Sequence, residues 1–173
     1  MISDETSKIL QQHIKKANQE NNRKKKIIHL LLFVIVVEIV FSLFGVARVN
    51  SNSMETNYEI GDIVIYLKLG NEYQKDDIII MDYNGYKIMR RVVATYSDKV
   101  DIDNDLGVLI INNKEEKNQN GKTVSDPEGI KYPIYVAEEE YFVLCDNRSY
   151  TIDSRRFGCV QKQNIIGKII LSF

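Results

Sequence analysis

The chain has 173 residues, 44% of them apolar, with 23 basic and 24 acidic side chains and a formal charge of −1. That length holds one domain with a modest core, and no internal repeat points to a second. The near-cancelling charge excludes a nucleic-acid binder, because the densest basic cluster is confined to the N-terminal part.

Residues 1–26 read as a cytoplasmic tail, polar and free of Gly and Pro, and His13 within it reads as a solvated surface residue. The tail ends in Arg23-Lys24-Lys25-Lys26, followed by "IIHLLLFVIVVEIVFSLFGVARV". About twenty mostly apolar residues at 1.5 Å per residue reach across a hydrocarbon core of roughly 30 Å. Residues 27–47 are therefore expected to form a transmembrane helix in the lipid bilayer. The positive flank puts the N-terminus in the cytoplasm, so residues 48–173 face the outside of a single-pass cell-membrane protein. A cleavable signal peptide fits less well, since the run exceeds the roughly 7 to 15 apolar residues of such a leader and the basic region starts late. Glu38 falls near the middle of the span, where a charge costs about 2.5 to 3.5 kcal/mol. It reads either as a defect that a very apolar helix tolerates or as a contact with another membrane protein.

Beyond residue 48 short β-rich runs alternate with turn signals: "DIVIYLKL", "DDIIIMDY", "YKIMRRVVATY", "KVDID", "LGVLIINN", "IYVAEEEYFVLC" and "NIIGKIILSF", punctuated by Gly70-Asn71, Asn84-Gly85, Asn120-Gly121 and Asp126-Pro127-Glu128-Gly129. About seven strands with almost no helical periodicity predict an all-β exported domain tethered by one N-terminal helix. The stretch "NNKEEKNQNGKTVSDPEG" is polar enough for an exposed hairpin or loop. Cys145 and Cys159 are even in number, which permits a bridge outside the membrane, with two buried free thiols as the alternative. With no CxxC and no His nearby, no metal site and no cofactor are expected.

Four segments in order resemble the type I signal peptidase family of Gram-positive type, and with the anchor they account for nearly the whole chain. "VNSNSMETNYEIGD" is similar to the family's Ser-Met box and places Ser53 at the nucleophile and Met54 after it; the family usually has Pro and Thr where Thr56 and Asn57 stand. "DDIIIMDY" resembles the strand that follows. "YKIMRRVVATYSDKV" resembles the segment that supplies a lysine general base. "LCDNRSYTIDSRRFGCV" resembles the family's Gly-Asp-Asn-Arg to Asp-Ser-Arg box almost position by position, with Cys145 in place of the leading glycine. The resemblance implies acyl transfer by a serine whose proton goes to a neutral lysine, with hydrogen-bond donors for the oxyanion. It puts Ser51, with the Ser53 backbone N–H, at the oxyanion, and Thr151 where a hydroxyl orients the lysine. Asp153 and Arg155 match paired charges that fix the loop beside the site. Asp146, Asn147, Arg148, Asp153 and Arg155 read as turn formers and salt bridges rather than catalytic groups. Met54 reads as core packing or as part of an apolar rim near the lipid.

One position departs from the pattern. Aligning "MRRVVA" with the family's lysine-arginine segment puts Arg90 where the base belongs and Arg91 at the arginine after it. A guanidinium keeps its proton in proteins and has no lone pair for another. Lys87, three residues earlier on the same strand, alternates to the other face and reads as a solvated strand residue. The expected function is therefore a membrane-anchored family member that acts on exported precursor proteins as a catalytically impaired accessory, binding a secreted client such as a pilin and assisting its assembly. It is in this respect similar to the pilus-associated signal-peptidase-like proteins. The alternative is an active signal peptidase with Ser53 as nucleophile.

Overall fold

The computed structural model describes residues 4–55, 57–70, 72–116 and 120–173. Asp4–Leu43 forms one 40-residue helix, α1, which contains no Gly or Pro to interrupt its hydrogen-bond ladder. Its segment Asn18–Leu43 is long and apolar enough to cross a membrane, with its side chains unburied. The chain divides into two compact units between Ser42 and Leu43.

The second unit is mostly β-sheet. Its strands are β1 (Phe44–Arg48), β2 (Ile63–Leu67), β3 (Ile78–Tyr83), β4 (Tyr86–Ala94), β5 (Lys99–Asp103), β6 (Val108–Ile111), β7 (Lys114–Glu115), β8 (Ile134–Tyr135), β9 (Glu140–Leu144), β10 (Val160–Gln161) and β11 (Ile165–Ser172), with a short helix α2 (Ser154–Phe157). They make a seven-stranded sheet in the order β1-β2-β11-β3-β4-β9-β10 and a four-stranded one in the order β7-β6-β5-β8.

The helix ends at Leu43 and not at residue 47. Residues 44–48 are apolar enough to continue a span, yet they pair with β2, Phe44 opposite Leu67 and Val46 opposite Ile65. Gly45 permits this, since a Cβ there would lie 2.2 Å from the Tyr66 ring. From Ile27 to Leu43 the helix then covers about 25 Å at 1.5 Å per residue, and Glu38 lies five residues from its end rather than at its middle.

The long β3–β4 hairpin turns at Asn84-Gly85, both with positive φ (53° and 80°), the conformation that a two-residue type I′ turn demands. In its tight register Arg90 lies opposite Ile79 and Arg91 opposite Ile78. Because strand side chains alternate, the two arginines of β4 serve opposite faces. One apolar cluster joins the two sheets through Val93, Val100, Leu109, Phe142 and Leu144. Another, of Val49, Val64, Tyr66, Ile80 and Ile169, underlies the segment that carries Ser53. Burying side chains of this kind contributes about 1.5 to 3 kcal/mol each, which fixes β3 and β4 as a rigid base for that segment.

The run predicted as one strand over 134–145 is broken into β8 and β9 by a turn at Glu139, whose φ is +58°. The polar stretch 112–129 contains a hairpin turn at Asn112-Asn113, as expected, but it is not wholly exposed. Thr123 and Asp126 are buried, and Gly129 lies so close to the Arg155 carbonyl that a Cβ would approach it to 2.0 Å. Cys145 and Cys159 are free thiols, the first buried and the second half-buried.

Candidate active site

Ser51 ends the chain's passage out of β1 and precedes a 3-10 turn, Asn52–Met54. Ser53 and Met54 on that turn are buried, at 3% and 1% exposure. Met54 is thus packing, its side chain closed off from solvent. The Ser53 carbonyl accepts from the Asn147 N–H at 3.0 Å, which ties the turn to the loop after β9. The Ser51 and Ser53 hydroxyls are 3.0 Å apart.

Arg90 reaches the same point from β4. Its Nη1 donates to Ser53 Oγ at 3.2 Å and to the Met89 carbonyl, while Nε (2.8 Å) and Nη2 donate to the Ile152 carbonyl. At 4% exposure it is a buried cation without an ion pair to any described carboxylate. Burial lowers its pKa, an effect partly offset by the nearby Cys145 and Asp153. It remains a proton donor all the same, because a guanidinium offers five N–H groups and no acceptor. A cation beside Ser53 Oγ would favour an alkoxide, yet the neighbouring group at hydrogen-bond distance besides Arg90 is the Ser51 hydroxyl, which is no better base than Ser53 itself.

Thr151 makes no hydrogen bond to Arg90 among the described residues; the guanidinium uses the carbonyl of the next residue, Ile152. Asp153 and Arg155 form an ion pair with both side chains fully buried, Arg155 Nε at 2.9 Å and Nη2 at 2.7 Å from the carboxylate. The carboxylate also accepts from the Cys145 N–H and from the Arg155 N–H, each at 3.0 Å, so that it caps α2 and holds the end of β9. Arg155 in turn donates to the carbonyls of Arg148 (2.9 Å) and Tyr150. Four backbone groups of residues 145–155 thereby converge on one buried pair, which shapes the loop that meets Arg90.

Two further clusters lie beyond the reach of local sequence patterns. Arg91, on the face of β4 away from Arg90, grips Asp146 in a two-pronged pair, both bonds 2.6 Å, and Asn57 donates to the same carboxylate at 2.9 Å. Such forked pairs combine charge with fixed geometry. Arg148 donates to Thr123 at 2.8 Å and to Glu116 at 3.0 Å, anchoring the polar stretch.

A cleft of about 270 Å³ opens beside the serines. It is lined by Val46, Ala47, Arg48 and Val49, by Ser51, Ser53 and Met54, by Ile80, and by Tyr86, Lys87 and Met89. Lys87 is exposed, as a solvated strand residue should be, but it belongs to this lining and makes no hydrogen bond to Ser53. Among the described residues no group of His, Cys, Asp or Glu side chains could hold a metal ion.

The family model described as "Signal peptidase, peptidase S26" matches residues 23–173. Among similar proteins, "Signal peptidase I" of Bacillus amyloliquefaciens is 27% identical over 153 residues, covering 80% of this chain and 80% of its own. "Signal peptidase I P" of Bacillus subtilis subsp. natto is 27% identical over 167 residues, 88% of this chain and 89% of its own. A solved signal peptidase I from Enterococcus faecalis V583 aligns with 58% of this chain and 98% of its own at 24% identity and a TM-score of 0.45. The match to the family model over 151 of the 173 residues, from 23 to 173, decides the matter: this chain belongs to the signal peptidase, peptidase S26, family.

Proposed function

We propose that this protein is a catalytically impaired member of the family, held at the outer face of the membrane, that binds a segment of an exported precursor in the Ser53 cleft and assists its assembly. A pilin is the kind of client that fits. Residues 1–26 are the cytoplasmic tail, the helix from Ile27 to Leu43 crosses the bilayer with Arg23–Lys26 on its inner side, and the β unit stands outside. Ser53 occupies the nucleophile position, Ser51 the oxyanion position and Arg90 the position of the missing base, with Met54, Thr151, Asp153 and Arg155 in support. The observation that carries this reading is the hydrogen bond from Arg90 Nη1 to Ser53 Oγ. Where a neutral amine would take the serine proton, a guanidinium donates one of its own. The free edge of β1 along the cleft suits an extended segment, which can add to a sheet edge through its backbone.

The alternative, an active peptidase, is favoured by one observation, the presence of Lys87 in the same lining as Ser53. Against it stand the exposure of Lys87 and the hydrogen bond that already engages Ser53 Oγ.

The test of client binding uses full-length protein in detergent and an exported precursor carrying a photo-crosslinker near its membrane-proximal extended segment. Wild type and Ser53→Ala should both crosslink, and Ala47→Trp, which fills the cleft, should abolish the product. Crosslinking that survives Ala47→Trp would place the client elsewhere and overturn the reading.

A further inference from the structure

The charge of the Ser53 cleft is one-sided. Its lining includes Arg48 and Lys87 and contains no Asp or Glu. Directly behind Ser53 stands a third cation, the buried Arg90. Elsewhere in the fold cations near the site are neutralised, Arg91 by Asp146, Arg148 by Glu116 and Arg155 by Asp153. Arg48, Lys87 and Arg90 have no such partner among the described residues; Arg48 uses its Nε on the Gly61 carbonyl at 3.2 Å. In a chain with one more acidic than basic side chain, this cleft is left with uncompensated positive charge. Low-dielectric walls such as Val46, Met54, Ile80 and Met89 concentrate its field.

The serines add direction. Because Ser53 Oγ accepts from Arg90, its own proton points elsewhere, to Ser51 Oγ 3.0 Å away or into the cleft. The hydroxyl pair therefore presents an O–H donor backed by a cation, the arrangement that holds a carboxylate in charge-assisted hydrogen bonds.

We propose that the cleft recognises an extended client segment carrying acidic side chains, with one carboxylate on the Ser51–Ser53 hydroxyls over Arg90 and others against Arg48 or Lys87, between apolar residues seated on Val46 and Met89. This rests on reading the cleft as a client-binding site. A free C-terminal carboxylate supplies a single charge, whereas the cations come from β1, from the start of β4 and from behind Ser53. Acidic side chains match that spread.

The experiment measures fluorescence anisotropy of dye-labelled, C-terminally amidated octapeptides, alternating Val-Asp against alternating Val-Asn, with full-length protein in neutral detergent. The acidic peptide should bind about tenfold more tightly or better, and the difference should shrink in 0.5 M salt, where the Debye length falls to about 4 Å from about 10 Å at 0.1 M. In the Arg48→Gln/Lys87→Gln double variant, whose changed residues are exposed, the preference should fall to about twofold or less. Equal binding of both peptides, an undiminished preference in the double variant, or equally tight binding of Val-Asn with a free C-terminus overturns the proposal. Mass spectrometry of the recovered peptides separates the two readings. Cleavage that requires Ser53 alongside a retained acidic preference refutes the non-catalytic function only; intact peptides bound without regard to charge refute the acidic recognition only.

Discussion

Replacing Arg90 with lysine tests whether this site lacks only its base. Arg90 is 4% exposed and forms no ion pair with a described carboxylate, and burial disfavours its charge, an effect that Cys145 and Asp153 offset in part and Arg155 reinforces. An amine in that pocket meets the same penalties. Full burial shifts a lysine down by about 3 to 5 units from about 10.4, so an apparent pKa near 7 is expected. Below that value the ammonium is charged and cannot accept the Ser53 proton; above it the neutral amine can. Cleavage by Arg90→Lys should therefore rise with pH through about 7 and level off by about pH 9. A positioned general base is worth about 10²- to 10⁴-fold, equivalent to roughly 3 to 5.5 kcal/mol of barrier. The lost guanidinium bonds to the Ile152 carbonyl should lower stability by about 1 to 3 kcal/mol. The assay follows N-terminal processing of an exported precursor by full-length protein in detergent between pH 6 and 10, with Arg90→Lys/Ser53→Ala as control. A folded Arg90→Lys variant that never exceeds this control at any pH would refute the reasoning, because the pocket would then fail to aim an amine at Ser53.

Asp153→Asn should destabilise the β unit by about 3 to 5 kcal/mol, since it leaves the fully buried Arg155 guanidinium uncompensated; a urea midpoint corresponding to a loss under about 1 kcal/mol would contradict the role given to that pair. Burial pushes both the Cys145 and the Cys159 thiols up to about 12. At pH 8, four units lower, about one thiol in ten thousand is thiolate, so alkylation by iodoacetamide should be far slower in the native than in the unfolded protein. Because the folded values are raised, this contribution to stability is complete below the unfolded pKa and is lost as pH rises through about 9 toward 12. Chemical unfolding at pH 8 and pH 10.5 should show the decline; a midpoint that rises with pH would reverse the sign. In cells, Ser53→Ala should leave assembly of the client intact, and a loss of assembly by a well-folded variant would assign a chemical role to the hydroxyl.

The strands of the β unit were legible because their β-branched runs are bounded by Gly and Asn turns, as at Asn84-Gly85. The serine, the arginine and the Asp153–Arg155 pair could be placed because each lies in a short contiguous pattern. What escaped reading depends on partners far along the chain. Phe44 to Arg48 extend the apolar run of the helix without a break, and only pairing with β2 makes them a strand. Nothing local in Asn57 or Arg91 reveals that both meet Asp146, which lies 89 and 55 residues away. Thr123 reads as polar loop until Arg148 is placed against it. Lys87 alternates away from Arg90 as strand geometry requires, yet it belongs to the lining of the Ser53 cleft. The resemblance of short segments to the family thus pointed to Ser53 and Arg90, while the cleft beside Ser53 arises only in three dimensions.

The hydrogen bond from Arg90 to Ser53 is the centre of the account: the guanidinium that stands where a base is needed has no lone pair for the serine proton. The decisive measurement is single-turnover processing of an exported precursor by an excess of full-length wild-type protein in detergent, compared with Ser53→Ala at neutral pH. The account predicts that the precursor remains intact with both proteins to the limit of detection. Removal of its signal segment by wild type and not by Ser53→Ala would contradict it.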